Sequence, residues 1–321
     1  NGYNSTSGHA ALFIFFVDGP TSNNPTTGWS TGTYIKLNTG PDGQGPNNGL
    51  ATPTAVDKNN DGVIDYIYAG DLKGNVWKFD VSDASTANWG VATQASLTDI
   101  TKAPLFQAKS VLASDGTTVV SQPITTALTT FVHPQGGYQL FFGTGKALES
   151  TDYPMSQLFS QSLYGLYDKP GSNIPITTGK TDLVVQTSAV SGDTRYMSTN
   201  PVDYSTKKGW YLNLPVASEG VIFNPIAEDS LRVNVRSLAP EANSDGCRYD
   251  SSSFGATINP INGNPIQNLI PGAPLVTGMG AVGKIESNTF EFSRGGVYKV
   301  PEPPVSTTAC TAGSSANCIC N

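Results

Sequence analysis

Histidine, methionine and charge are all scarce in this chain of 321 residues, and each shortage removes a class of function. Two histidines, His9 and His133, leave little scope for a Ser-His-Asp site, and no His-Glu-x-x-His motif offers a metallopeptidase centre. Charged residues make up 13 %, about half the usual ~25 %. Basic residues number 18 against 25 acidic ones, for a net charge of −7. No basic run exceeds the pair Lys207-Lys208, so a surface that tracks nucleic-acid phosphates is not expected. Long apolar runs are missing too: Ala10–Val17 and Leu140–Phe142 fall far short of the ~20 residues that cross a bilayer, and they read as strands rather than a membrane-spanning segment. No basic, apolar leader opens the chain, and Asn1 begins in loop-like sequence, which suggests a mature or partial chain rather than a natural domain edge. Helical periodicity is nearly absent. Only Asp152–Leu163 has it, with Asp152 as a cap and Met155, Leu158, Phe159 and Leu163 on one side.

What the chain has in quantity is turn chemistry. Glycine (34) and proline (22), with many Ser, Thr and Asn, give the balance of an extracellular β protein, and the length suffices for a large core in one or two domains. Alternating or β-branched runs predict strands at Leu12–Val17, Thr33–Leu37, Tyr66–Ala69, Asn75–Val81, Thr118–Val120, Tyr138–Phe142, Leu163–Tyr167, Thr181–Val185, Gly209–Leu214, Leu231–Ser237 and Gly296–Val300. Strands at this density without helices mean a sandwich, barrel or propeller. The stretch Ala69–Asp80, a strand, a glycine hairpin and a strand ending Trp-x-Phe-Asp, favours a propeller. It has partial echoes at Phe142-Gly-Thr-Gly145 and Tyr164-Gly-Leu-Tyr-Asp168. The fold class expected is therefore an all-β β-propeller, irregular or incomplete, with long insertions at Thr21–Ser30, Ala108–Thr117 and Glu241–Gly272. It would occupy residues 1–300 and be followed by a Pro/Ser/Thr/Cys-rich tail at 301–321. Four cysteines, Cys247, Cys310, Cys318 and Cys320, predict two disulfides in an exported chain, with Cys247 pinning the tail. Of the three connectivities, the one joining Cys318 to Cys320 is sterically least favourable.

The most informative segment is Asp57-Lys58-Asn59-Asn60-Asp61-Gly62-Val63-Ile64-Asp65. Carboxylates or amides stand at loop positions 1, 3, 5 and 9, a glycine makes the sharp turn at 6, and Val63 offers its carbonyl at 7. This alternation supplies the oxygen shell that Ca²⁺ requires. The helix-flanked version of such a loop closes with Glu at position 12, where this chain has Tyr68. The β-branched and aromatic flanks predict instead a loop that closes at Asp65 and links two strands. An Asx-rich turn without metal is the plainer alternative, but three carboxylates within nine residues repel one another unless a cation intervenes.

The string Asn48–Ser82, NGLATPTAVDKNNDGVIDYIYAGDLKGNVWKFDVS, resembles the hallmark of the PilY/PilC family of type IV pilus tip and biogenesis proteins, in their C-terminal β-propeller domain. The resemblance extends back to Asn1-Gly-Tyr-Asn-Ser5 and Ala11-Leu-Phe-Ile14. It runs forward through Gln122-Pro-Ile124, Val132-His-Pro134, Phe142-Gly-Thr-Gly-Lys146, Tyr164-Gly-Leu-Tyr-Asp168 and Gly209-Trp-Tyr-Leu-Asn-Leu214, and weakens after Gly263. It implies an extracellular, pilus-associated, calcium-binding and non-catalytic propeller with roles in pilus assembly, retraction control, twitching motility and surface adhesion. The metal positions it implies are Asp57, Asn59, Asp61, Val63 and Asp65, and the partners are pilus components such as minor pilins together with host or abiotic surface ligands. Two departures stand out. The family's Gly-Glu-Arg is replaced by Ser218-Glu219-Gly220, and its N-terminal blades and variable adhesive region are not in this sequence.

One alternative is a quinoprotein dehydrogenase, whose calcium holds a quinone in a propeller channel. It requires ligands scattered round that channel rather than a contiguous loop. His133 and His9 read as structural, and Trp77 and Trp210, in strand patterns, as core. Trp29 and Trp89, in polar loops, are the better candidates for contact with a glycan or protein.

Overall fold

The computed structural model describes residues 3, 8–19, 29, 32–40, 43, 45–93, 102–112, 115–148, 152, 159–172, 175–176, 179–192, 194–216, 219–240, 248–266, 279–293 and 296–299. Strands β1 (Ala11–Phe15) and β2 (Tyr34–Asn38) form an antiparallel ribbon. A second sheet comprises β3 (Thr54–Val56), β4 (Tyr66–Gly70), β5 (Asn75–Asp80), β6 (Gly90–Val91) and β7 (Phe106–Gln107), and it is followed by the hairpin of β8 (Lys109–Val111) and β9 (Val119–Ser121). The third sheet opens with β10 (Thr129–Val132), β11 (Tyr138–Gly143) and β12 (Ser162–Asp168), and β13 (Val184–Gln186) lies at its far edge. The chain then leaves as β14 (Ser188–Ser191) and β15 (Thr194–Ser198), and returns as β16 (Gly209–Asn213) between β12 and β13, parallel to β13. The last sheet joins β14 and β15 to β17 (Ile226–Asp229), β18 (Arg232–Pro240), β19 (Arg248–Ile258), β20 (Met279–Ser293) and β21 (Gly296–Lys299).

Strand periodicity explains how these sheets stack. Side chains alternate between faces, so in β11 Leu140 and Phe142 enter one core while Phe141 enters the next. In β4 and β5, Tyr68 and Val76 join the core shared with β11 and β12, and Ala69 and Trp77 join the core under the β1–β2 ribbon. Both middle sheets are thus buried on two faces, which accounts for near-continuous apolar runs such as Leu140-Phe-Phe142. Trp77 and Trp210 are wholly buried, as expected of core residues.

Several boundaries differ from the expectation. Ser162 and Leu163 begin β12 rather than ending a helix, because Leu163 is needed in the core with Trp210 and Leu212. Asp152 receives the N–H of Leu148 (2.8 Å) and pairs with Lys146 (3.1 Å), and residues 153–158 of the expected helix lie outside the described residues. Lys180–Asp182 form a 3-10 turn, so the strand expected from Thr181 starts at Val184. The stretches expected as insertions at Ala108–Thr117 and Glu241–Gly272 contain β8 and β19. In β19 the polar run Ser251-Ser-Ser253 disguises a strand whose Phe254, Ala256 and Ile258 alternate into the core. The four cysteines and the 301–321 tail lie outside the described residues.

Candidate metal centre

Antiparallel pairing of Val56 with Tyr66 makes residues 57–65 the loop of the β3–β4 hairpin. The loop is not slack. Asp65 donates its N–H to Val56 O (2.9 Å), and its carbonyl accepts the N–H of Val81 (2.8 Å), which fastens the loop's exit to the end of β5. At the entrance, the Tyr138 hydroxyl reaches the Asp57 carbonyl (3.4 Å). Between these anchors the backbone passes twice through the left-handed region, at Asn60 (φ 58°) and Gly62 (φ 87°), and so curls back on Asp57.

The curl aims main-chain N–H groups at one carboxylate. Asp57 Oδ1 accepts from Asn59 (3.2 Å), Asn60 (2.7 Å) and Asp61 (3.3 Å), and Oδ2 accepts from Gly62 (2.8 Å). Desolvation acts to raise the pKa of this group, but the four donors together outweigh it and hold the carboxyl below the usual range. Asn59 and Asp61 face each other through an amide–carboxylate hydrogen bond (2.9 Å), and Asp61 Oδ1 also accepts the Val63 N–H (2.8 Å). Asp65, 6 % exposed, accepts the Lys58 N–H (2.8 Å) and pairs with the Lys58 ammonium (3.4 Å).

Of the five expected metal positions, Asp57, Asn59 and Asp61 are therefore brought into direct mutual contact, while the Asp65 side chain is held by Lys58 instead and Val63 is exposed. Among the described residues no three His, Cys, Asp or Glu side chains stand close enough to hold a metal ion. The donor chemistry nonetheless fits a hard cation. Every candidate group offers oxygen, none offers sulfur or imidazole, and the loop already has the left-handed turns that wrap a chain round a centre.

Asp57 and Lys58 share a recess with a buried charged group that has no signature in the sequence. Asp168, at the end of β12, accepts the Tyr68 hydroxyl (2.5 Å) and pairs with the ammonium of Lys78 (2.8 Å), and all three side chains are buried. The Lys78 ammonium also sits 4.2 Å from the centre of the Tyr66 ring. In the sequence Asp168 is only the last residue of an aromatic repeat, and an ion pair joining residues ninety positions apart leaves no local signal. Glu219, in the tripeptide that departs from the family pattern, is likewise buried and held by both terminal nitrogens of Arg195 (2.5 and 2.9 Å) and by the Ser237 hydroxyl.

Other singled-out residues have structural settings. His133 is buried, stacks on Tyr167 (3.8 Å), and is kept toward its neutral form by burial. Trp89 is half-buried and gives its N–H to the Asp83 carbonyl (2.8 Å). Trp29 stays 39 % exposed and meets Phe15 edge-on at 4.8 Å. A Gly-x-Ser-x-Gly spacing does occur at Gly28-Trp29-Ser30-Thr31-Gly32. A nucleophile elbow turns from strand to helix, whereas Gly32 leads into strand β2, and Ser30 lies outside the described residues.

The family model for the PilY1 beta-propeller domain matches residues 7–201. The chain belongs to that family. Among curated proteins, a type IV pilus biogenesis factor PilY1 homolog of Xylella fastidiosa is 32 % identical over 289 residues, covering 82 % of this chain and 18 % of that protein. The type IV pilus biogenesis factor PilY1 of Pseudomonas aeruginosa is 32 % identical over 298 residues, covering 82 % of this chain and 24 % of that protein. This PilY1-family chain therefore spans about a fifth to a quarter of the length of these relatives. The crystal structure of the Pseudomonas aeruginosa PilY1 C-terminal domain superposes with a TM-score of 0.65 at 25 % identity, covering 94 % of this chain and 68 % of that one. The propeller class expected from sequence is thereby established, and so is membership of a pilus-related family. No helix among the described residues is long and apolar enough to cross a membrane.

Proposed function

We propose that the chain is a calcium-binding, non-catalytic module of a type IV pilus biogenesis factor, acting at the cell surface in pilus assembly and retraction control, twitching motility and adhesion. The observation that carries this reading is the β3–β4 hairpin, in which Asp57 is already wrapped by four main-chain N–H groups with Asn59 and Asp61 beside it. Asp57, Asn59, Asp61 and Asp65 would give side-chain oxygens to Ca²⁺ and Val63 its carbonyl. The cation would relieve the repulsion among three carboxylates. The partners are pilus components such as minor pilins, together with host or abiotic surface ligands. The names borne by the relatives support this direction.

Calorimetry tests the metal: one Ca²⁺ per chain is expected, with a dissociation constant of about 10⁻⁴–10⁻³ M, and Mg²⁺ should bind more weakly because it demands a smaller octahedral shell. Equal or stronger Mg²⁺ binding rejects the assignment. In cells, replacing Asp57 and Asp65 together should change surface pili, twitching or adhesion at normal protein level. If all three stay unchanged, the site has no regulatory role. A tightly bound quinone with dye-linked alcohol oxidation would favour the dehydrogenase reading instead.

A further inference from the structure

A cavity of about 410 Å³ opens beside the loop, lined among others by Lys58, Tyr66, Lys78, Tyr138, Asp168 and Lys169. Its volume falls in the range of sites for small ligands. Three lysines and two aspartates are among its lining residues, a basic balance that is unusual for a chain of net charge −7. The two carboxylates in the lining, Asp57 and Asp168, are already engaged, the first by main-chain N–H groups and the second by Lys78 and Tyr68. Lys169 is exposed and forms no ion pair among the described residues. With Lys58 held by Asp65 (3.4 Å) and Lys78 by Asp168 (2.8 Å), Lys169 is the lining cation left without a carboxylate partner among the described residues.

The floor makes a different demand. Asp168 is 2 % exposed, and its Oδ1 has no hydrogen-bond partner, an arrangement that costs free energy until a donor arrives. Because Lys78 stands 2.8 Å from the same carboxylate, a second cation would be repelled, and the donor that suits Asp168 is a neutral hydroxyl. Simple carboxylates satisfy Lys169 but bring no such donor, and phosphate brings its P–O–H only on the same charged group that the lysine would hold. A ligand with a carboxylate at one end and hydroxyls at the other satisfies both, and Tyr66 and Tyr138 add rings and hydroxyls along the wall.

We propose that this recess binds a hydroxylated sugar carboxylate, as in a uronic-acid residue of a surface polysaccharide, with Lys169 taking the carboxylate and the Asp168–Lys78 floor taking the hydroxyls. The site needs no cation in the neighbouring loop. Titration of the chain with glucuronate, followed by NMR with and without calcium, is expected to show saturable binding of roughly millimolar strength, at least about fivefold tighter than glucose or acetate. Lys169→Glu, a change at an exposed position, is expected to weaken glucuronate about tenfold while leaving the fold spectrum unchanged. Absence of saturation, equal binding of glucose or acetate, or an unaltered Lys169→Glu protein would each overturn the assignment. Binding that appears only with calcium would put the sugar on the cation and overturn it as well.

Discussion

Strand β4 carries a hairpin at each end, and the two are built on the same first residue with opposite outcomes. Asp57 opens the hairpin before β4 and Asp71 the hairpin after it, and each gathers donors from the turn it starts. Asp71 is wholly buried and accepts five hydrogen bonds, from the N–H groups of Lys73 and Asn75, the side-chain amides of Asn75 and Asn48, and the indole of Trp77. It needs nothing more. Asp57 is only half-buried, its donors are all main-chain, and its neighbours Asn59 and Asp61 add oxygen rather than positive charge. A carboxylate closed off by side-chain donors becomes architecture. One left with acidic neighbours at the surface is, on the reading proposed above, where a cation would be drawn.

The strongest test of this contrast is removal of the buried carboxylate. Asp71→Ala strands the donors of Trp77, Asn75 and Asn48 in the interior and is expected to cost at least about 3 kcal/mol in urea unfolding, with calcium affinity little changed. A loss below about 1 kcal/mol would erase the distinction between the two hairpins. Next in size is the pair of hairpin glycines. A Cβ on Gly74 (φ 78°) would lie 2.6 Å from the carbonyls of Ala108 and Gln122, whereas one on Gly62 (φ 87°) meets nothing within 4 Å. Gly62→Ala is expected to cost about 1 kcal/mol, the left-handed backbone alone, and Gly74→Ala about twice that or more. Equal costs in thermal melts would show that the second hairpin is not packed as described.

A smaller effect separates the two carboxylates by pH. Burial raises the Asp71 carboxyl from its ordinary value of 3.8, against the pull of its donors, while the main-chain N–H groups lower that of Asp57 from 3.8. The signs are opposite. The Asp57 contribution is complete above the unfolded value and is lost as pH falls through the lowered folded value. Ionised Asp71 opposes folding above its raised value, and that opposition disappears as pH falls. In NMR titrations with chelator present, Asp57 is expected to titrate first below, and Asp71 above, the ordinary range, and coincident titration would refute the contrast. The smallest expected change in stability is that of Asp65→Ala, which opens the closing position of the loop. Calcium binding should fall at least about tenfold while the chain remains folded, because the metal would hold one surface hairpin on a large β core. Global unfolding of this variant would make the loop as architectural as its neighbour.

Both hairpins were legible in the sequence for local reasons. The spacing of Asp57, Asn59, Asp61, Gly62 and Asp65 and the marks in Ala69–Asp80 fall within single turns and strand pairs, where neighbours in sequence are neighbours in space. Pairings of distant segments were not legible. Lys78 with Asp168 and Arg195 with Glu219 unite charges that look like ordinary surface residues until the sheets stack. Strand β19 was not legible because serines fill its first half, and the buried residues on the face opposite Phe254, Ala256 and Ile258 are the polar Ser253 and Thr257. The helix expected at Asp152–Leu163 failed at its end because Leu163 satisfies a helical period and a strand equally well, and only the core beside Trp210 decides.

The departure of β14 and β15 from the third sheet, and the return of β16 to its middle, governs the order in which the molecule can assemble. Strand β12 finds its second neighbour only after β15 has been made, and β15 itself pairs with β20, Thr194 lying opposite Lys284. A nascent chain emerging as far as residue 201 would expose the open edges of β12 and β15 at once, two bare templates for mispairing. Closing such distant pairs costs loop entropy before any contact repays it. Folding of this propeller therefore depends on keeping those edges apart until its C-terminal strands arrive.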